Sequence, residues 1–255
     1  MSERVVFGIR PVEELLRARP REVSVVYVAD GYRSPEIDRL VMAARDRAVN
    51  LEFRPRQMVA ELAGDAVHQG VVALTGEYAY AELGAILATA APLATPSAAT
   101  GDEPLLLLLL DGITDPHNFG ALVRSAEVLG AHGVVVPDRG AAPVTPVVVK
   151  SSAGATERTK IARVGNLLKT IDSLRERGVR VLGADTDGGQ RLDEVDLAGP
   201  VALVVGAEGR GMREAVARRC DALFHIPQRG AVASLNASVA GAISLYEAAR
   251  QRQKR

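Results

Sequence analysis

Apolar positions along the chain fall into two rhythms. Over residues 1–78 they predict short alternating elements. Val12, Leu15 and Leu16 share one helical face and predict a helix over Pro11–Arg17. The β-branched run Val23–Val28 predicts a buried strand, and Ile37, Leu40, Val41 and Ala44 predict a helix over Pro35–Arg47. Leu51–Phe53 reads as a short strand, and Gln57–Ala63 as a helix closed by Gly64. Val71–Leu74 completes this segment as another strand.

Residues 79–103 change character. Ala81–Ala91 accommodates a short helix, while Pro92–Thr100 is mostly Ala, Thr, Pro and Ser, with little to drive a core. It reads as an exposed, mobile linker, so the expected domains are 1–78 and 104–255 joined by 79–103.

From Pro104 onward, strands alternate with helices. Leu105–Leu110 predicts a fully buried strand. Asp115-Pro116 is an N-cap followed by proline at the first helical position, opening a helix to Leu129. Further strands are expected at Gly133–Val136, Val179–Leu182, Val201–Val205 and Leu223–Ile226. Helices are expected at Pro146–Ala155, Asn166–Arg177, Met212–Arg219 and Ser238–Arg250. This alternation predicts an α/β fold, a mostly parallel sheet with both faces covered.

Composition narrows the class. The 31 basic and 31 acidic residues cancel, so net charge forces no nucleic-acid or membrane partner. Residues 104–255 nevertheless hold 20 basic against 16 acidic side chains, a surplus compatible with RNA. Cys220 is the single cysteine, which excludes an internal disulfide and a cysteine-based metal cluster. The four histidines (68, 117, 132 and 225) show no metal-ligand spacing. Met1-Ser-Glu-Arg leads into no apolar targeting segment, and Leu105–Leu110 is far below the roughly 20 residues a bilayer requires. A cytoplasmic protein without membrane contact is expected.

Three stretches carry candidate chemistry, each at the carboxyl end of an expected strand. The first holds Asn118 and Arg124, the latter either a guanidinium aimed at phosphate or a developing oxyanion, or a surface ion pair with Glu127 or Asp115. The second, Gly206-Ala-Glu-Gly-Arg-Gly211, lacks the dinucleotide spacing G-x-G-x-x-G. It is either a ligand-holding turn that places Glu208, or a solvated turn whose glycines relieve strain. The third runs from Ile226-Pro227 through Gly230 to Ser234-Leu-Asn236 and into a helix of small residues. Ser234 and Asn236 are good N-cap types and equally able to meet a ligand. Ser234 does not sit in the nucleophile elbow G-x-S-x-G.

Taken together and in this order, the three stretches resemble the three motifs of the SpoU/TrmH (SPOUT) RNA ribose 2′-O-methyltransferases, over about 105–250. Val6-Phe-Gly-Ile, Val12, Leu15 and His68-Gln-Gly-Val71 resemble that group's small substrate-binding domain, similar to ribosomal protein L30e. The layout is most similar to the branch that methylates a guanosine in the peptidyl-transferase region of 23S ribosomal RNA.

The resemblance implies a C-terminal trefoil knot, S-adenosylmethionine bound in it, and a homodimer whose active site is completed across the knot face. It implies cofactor contacts at Gly206, Glu208, Gly209, Ile226 and Leu235, and catalytic roles for Arg124, Asn118, Glu208, Ser234 and Asn236. Arg124 would stabilise charge developing on the ribose 2′-oxygen, because a guanidinium with a pKa above about 12 is a poor base. Asn118 and Asn236 would orient the ribose or Arg124. Glu208 would hold Arg124 or a substrate hydroxyl, and Ser234 the loop or a ribose phosphate. Gln228 stands where many relatives carry an apolar residue, and Arg229 could add a phosphate contact. No metal is expected. The remaining readings are a tRNA ribose methyltransferase, a non-catalytic RNA-binding or ribosome-assembly protein on the same fold, and a small-molecule methyltransferase.

Overall fold

The structure is a computed structural model that describes residues 3–64, 67–90, 103–230 and 234–253. The expected linker stretch Pro92–Thr100 lies outside the described residues. The chain divides into two compact units, Met1–Ala79 with Pro143–Arg158, and Tyr80–Ala142 with Thr159–Arg255.

The first unit is built on four strands: β1 (Arg4–Phe7), β2 (Val23–Ala29), β3 (Leu51–Arg54) and β4 (Val71–Thr75). Their order is β1-β4-β2-β3, antiparallel except where β2 meets β3. Helices α1 (Ile9–Ala18), α2 (Pro35–Asp46) and α3 (Arg56–Ala63) cover them. Val59 of α3 packs on Phe7, Ala29 and Val72. The helices fall where apolar spacing placed them, and Gly64 ends α3 with φ 62°. β1 was not among the expected strands; it is four residues long, and two of them are Arg4 and Val5 beside the chain start.

Pro143–Arg158 packs within this unit, although its sequence lies beyond the expected linker. The expected helix over Pro146–Ala155 is α6 (Pro146–Ser151) and a separate 3₁₀ turn at Ala155–Glu157; between them Gly154 takes φ 85°. A buried ion pair fixes the segment: Arg4 Nη1 lies 2.8 Å from Glu157 Oε1, with side chains 7% and 0% exposed. Tyr78 adds a hydrogen bond from its hydroxyl to the Thr156 carbonyl at 2.9 Å.

The second unit holds β5 (Leu106–Asp111), β6 (Gly133–Pro137), β7 (Ile161–Val164), β8 (Arg180–Ala184), β9 (Gln190–Arg191), β10 (Val201–Gly206) and β11 (Ala222–His225). Its order is β7-β6-β5-β10-β8-β11-β9, and every described pairing is parallel. A parallel sheet covered on both faces explains the continuous apolar runs of β5 and β10. Leu105, Leu107 and Leu109 share one core with Ile86 of α4 (Leu83–Leu87) and Leu167, Ile171 and Leu174 of α7 (Leu167–Glu176). α5 (Pro116–Val128) and α9 (Ala237–Arg252) pack together on other sheet residues. A Cβ on Gly241 would lie 2.3 Å from Leu122 Cδ2 and 3.5 Å from Val205 Cγ2, so the small residues of α9 permit its close approach.

Two expectations change here. The strands β7 and β9 were not anticipated, since four and two residues carry too little periodicity to read. The helix expected over Met212–Arg219 is only α8 (Glu214–Ala217). Its first residues are held instead by the preceding turn, where Arg213 binds Asp111.

Candidate active site

Two central strands set the frame. β5 and β10 are paired in register so that Asp111 and Gly206, their last residues, are neighbours. The loops leaving them therefore begin side by side. In α/β sheets such carboxyl ends are where ligands bind.

The loop after β10 is a tight turn. Ala207 and Gly211 exchange backbone hydrogen bonds of 3.0 and 2.8 Å, and Gly209 and Gly211 take φ 77° and 66°. Gly206 is required for space, because a Cβ there would sit 2.1 Å from Gly211 C and Met212 N. Buried Asp111 pins the base of this turn, accepting from Arg213 N at 2.8 Å and Arg213 Nε at 2.7 Å. The glycines thus relieve strain and also place Glu208.

Helix caps place the other polar groups. Asp115 caps α5 by accepting from the backbone N–H of His117 and Asn118, which sets Asn118 in the first turn. Asn236 caps α9 through Oδ1, which accepts from Ser238 N at 2.9 Å and Val239 N at 3.4 Å. With that oxygen committed, its Nδ2 points away from the helix. It donates to Asn118 Oδ1 at 2.9 Å and to Glu208 Oε2 at 3.2 Å. Asn118 Nδ2 donates to the same Glu208 oxygen at 3.1 Å. Capping and site-building are one interaction at Asn236, not alternatives.

A cavity of about 470 Å³ adjoins this triad, within the usual range for a small-molecule site. Gly206, Glu208, Gly209, Ile226, Gln228, Ser234 and Leu235 line it, so each expected cofactor-contact position reaches one space. Ser234 Oγ has no partner among the described residues. Arg124 is exposed and forms neither of the ion pairs open to it. Asp115 is engaged by the α5 cap and Glu127 accepts from Thr159 Oγ1 at 3.2 Å. Nor does Glu208 hold Arg124; its described hydrogen bonds go to the two asparagines.

Other lining residues were not anticipated: Ala184–Asp187, from the carboxyl end of β8, and Met212. Their available signal was Gly183-Ala-Asp-Thr-Asp-Gly188, a polar, glycine-flanked stretch directly after a strand. The Asp111–Arg213 link had no sequence signal. No cluster of three or more metal-ligating side chains occurs among the described residues.

The family model described as the SpoU rRNA Methylase family matches residues 105–246. The model described as RNA 2'-O ribose methyltransferase substrate binding matches residues 5–81. The 23S rRNA (guanosine-2'-O-)-methyltransferase RlmB of Pseudomonas putida is 38% identical over 250 residues, covering 97% of this chain and 96% of that protein. A protein of Mycobacterium sp. (strain KMS), named an uncharacterized tRNA/rRNA methyltransferase, is 41% identical, covering 98% and 77%. Among solved structures, the SpoU methyltransferase AviRb from Streptomyces viridochromogenes, in complex with the cofactor AdoMet, is similar with a TM-score of 0.78 and 28% identity. That match covers 99% of this chain and 92% of the other. The two matched models account for most of the chain, and the protein belongs to the SpoU rRNA methylase family.

Proposed function

We propose that the protein methylates a ribose 2′-hydroxyl in structured RNA with S-adenosylmethionine, at a guanosine of 23S ribosomal RNA in the peptidyl-transferase region. The observation that carries this reading is the Asn118–Glu208–Asn236 triad, whose Glu208 lines a cavity made from three strand ends. The lining fits the cofactor: there is room for a small molecule between the Gly206–Gly211 turn and the apolar residues Ile226 and Leu235. S-adenosylmethionine supplies there a methyl group on a sulfonium, open to attack by an oxygen nucleophile.

The chain's own residues do the rest. Gly206, Gly209, Ile226 and Leu235 hold the cofactor, mostly through backbone groups. Glu208 Oε2 is occupied by two amide donors, which leaves Oε1 to accept from a ribose hydroxyl. Asn118 and Asn236 fix that carboxylate, so the ribose is oriented for in-line attack. Arg124 has an unengaged guanidinium and stabilises the negative charge that develops on the 2′-oxygen. Ser234 offers a free hydroxyl to the ribose phosphate.

In this reading the first unit forms an L30e-like RNA substrate-binding domain and the second the methyltransferase domain with its C-terminal trefoil knot; α4, whose Ile86 lies in the second unit's core, belongs to that domain and not to a linker. The protein acts in the cytoplasm as a homodimer through the knot domain. Exposed Val128 on α5 and Val239 and Tyr246 on α9 support that dimer, since apolar side chains on a mutually packed helix pair invite cover. No helix among the described residues is long and apolar enough to cross a membrane.

The test is ribose-methylation mapping of total RNA from cells with and without the protein. Loss of one 23S guanosine mark is the expected result. Loss of a tRNA mark would move the substrate, and absence of S-adenosylmethionine binding by calorimetry would favour a non-catalytic RNA-binding protein.

A further inference from the structure

The first unit carries a cationic cluster that the proposed catalytic site does not use. It centres on the turn His68-Gln69-Gly70 before β4. Gln69 takes φ 53°, a left-handed conformation uncommon for a residue with a side chain. That conformation presents Gln69 Oε1 to two donors, Lys150 Nζ at 3.0 Å and Ile9 N at 3.3 Å. Gly8 makes room for the ammonium, since a Cβ there would lie 2.5 Å from Lys150 Nζ. On the other side of the turn Gly70 lies against the Tyr32 ring, where a Cβ would come within 2.6 Å of Cδ1. Arg56 sits over that ring, its guanidinium carbon 5.6 Å from the centroid.

The donors around this turn are largely unspent. Lys150 has three N–H bonds and its one described partner is Gln69. His68 accepts the Gly70 N–H at Nδ1, at 3.1 Å, which places the proton of the neutral ring on Nε2, a nitrogen with no described partner. Arg56 forms no hydrogen bond or ion pair with the described residues. Among the described residues no carboxylate opposes this charge at His68: burial, then Arg56 and Lys150, lower its pKa. Burial also lowers the pKa of Lys150. An ammonium partly desolvated and without a counter-ion among the described residues, beside a guanidinium held on an aromatic ring, suits a ligand that brings its own negative charge.

We propose that Lys150, Arg56, His68 and Tyr32 form a site for the sugar–phosphate backbone of the substrate RNA, Lys150 and Arg56 binding phosphate and Tyr32 backing the guanidinium. The proposal rests on the RNA-substrate reading above and gives Pro143–Arg158 a role in it. Lys150 belongs by sequence to the methylase match but is delivered to the unit that holds the substrate-binding match.

The experiment uses the full chain and an in-vitro transcript of 23S ribosomal RNA, with binding measured across a salt series. Lys150→Gln and Arg56→Gln should each raise Kd about 3- to 10-fold and flatten the slope of log K against log salt by roughly 0.7–0.9, one phosphate contact each. Lys150→Arg and Arg56→Lys, which keep the charge, should stay within about twofold of wild type by the same argument. Arg39→Gln on α2, where Arg39 pairs with Glu36, should leave the slope unchanged. S-adenosylmethionine affinity and turnover at saturating RNA should not move. Unchanged Kd and slope in both neutral variants would overturn the site. So would an equal loss in the charge-keeping variants, or an equal flattening by Arg39→Gln, which would mean diffuse attraction. Arg56→Gln removes no described hydrogen bond, so it tests the site without disturbing the turn. A wild-type protein that binds the transcript through these residues yet transfers no methyl group would leave this site standing and remove the catalytic reading.

Discussion

Asn236 donates to Asn118 across 118 residues of chain, at 2.9 Å, and both side-chain amides converge on one oxygen of Glu208. The Asn236 carbonyl is simultaneously the cap of α9. One side chain thus ties the last helix to two strand-end loops, and the geometry of Glu208 depends on the start of that helix.

Substitutions at 236 separate these roles. Asn236→Ala should lower stability by about 1–2 kcal/mol, the value of a lost cap, and free the Glu208 carboxylate. Asn236→Asp keeps a capping oxygen but sets a carboxylate against Glu208, a like-charge contact in place of a hydrogen bond. Its melting temperature should stay near wild type while turnover falls at least about tenfold, ~1.4 kcal/mol in the barrier. Thermal melts and steady-state methyl transfer measure the two effects. Full turnover in the Asp variant would remove the triad from catalysis.

Arg124→Ala should lower turnover by about 10²–10³, the usual cost of deleting a donor to a developing oxyanion. Cofactor affinity by calorimetry should stay within about twofold, because Arg124 does not line the cavity. A variant that binds RNA poorly but turns over at the wild-type rate at saturation would assign Arg124 to binding alone.

Gly206→Ala tests the turn. The new Cβ would meet backbone at 2.1 Å, which no rotamer change relieves. Cofactor binding should weaken by at least about tenfold, ~1.4 kcal/mol. Titration calorimetry reads this directly, and wild-type affinity would show that the cavity wall is not where the cofactor binds.

Cys220 supplies a pH prediction. Burial, then the nearby Asp221 carboxylate, push its thiol pKa from 9.0 up to about 12. A raised native pKa means the folded state keeps the proton longer. Its contribution to stability is therefore whole below about pH 9 and is lost as pH rises toward 12, where only the unfolded chain ionises first. Alkylation by iodoacetamide at pH 9 should be much slower in the native protein than in denaturant. Equal rates would place the thiol in solvent.

Much of the site was legible because its parts are local. Asp115-Pro116 and Asn236 are capping signals that need only their own helices, and the strand Val201–Val205 followed by glycines marks a turn at a strand's carboxyl end. The motif order brought those parts together through resemblance to one family. The hydrogen bonds among them were not legible. The two roles of Asn236 follow from the α9 cap fixing its carbonyl, which leaves the amide free only in one direction.

By itself the sequence determined the alternating elements, the mostly parallel character of the large sheet and the residues that can cap, because periodicity and cap chemistry act within a few positions. Tertiary structure decided the rest. It joined Pro143–Arg158 to the first unit, since a buried Arg4–Glu157 pair spans 153 residues and leaves no trace in local pattern. It added the short strand β7, whose four residues acquire a register only beside β6. It also brought Asp111 to Arg213, so that a carboxylate at the end of one strand fixes the turn leaving the next.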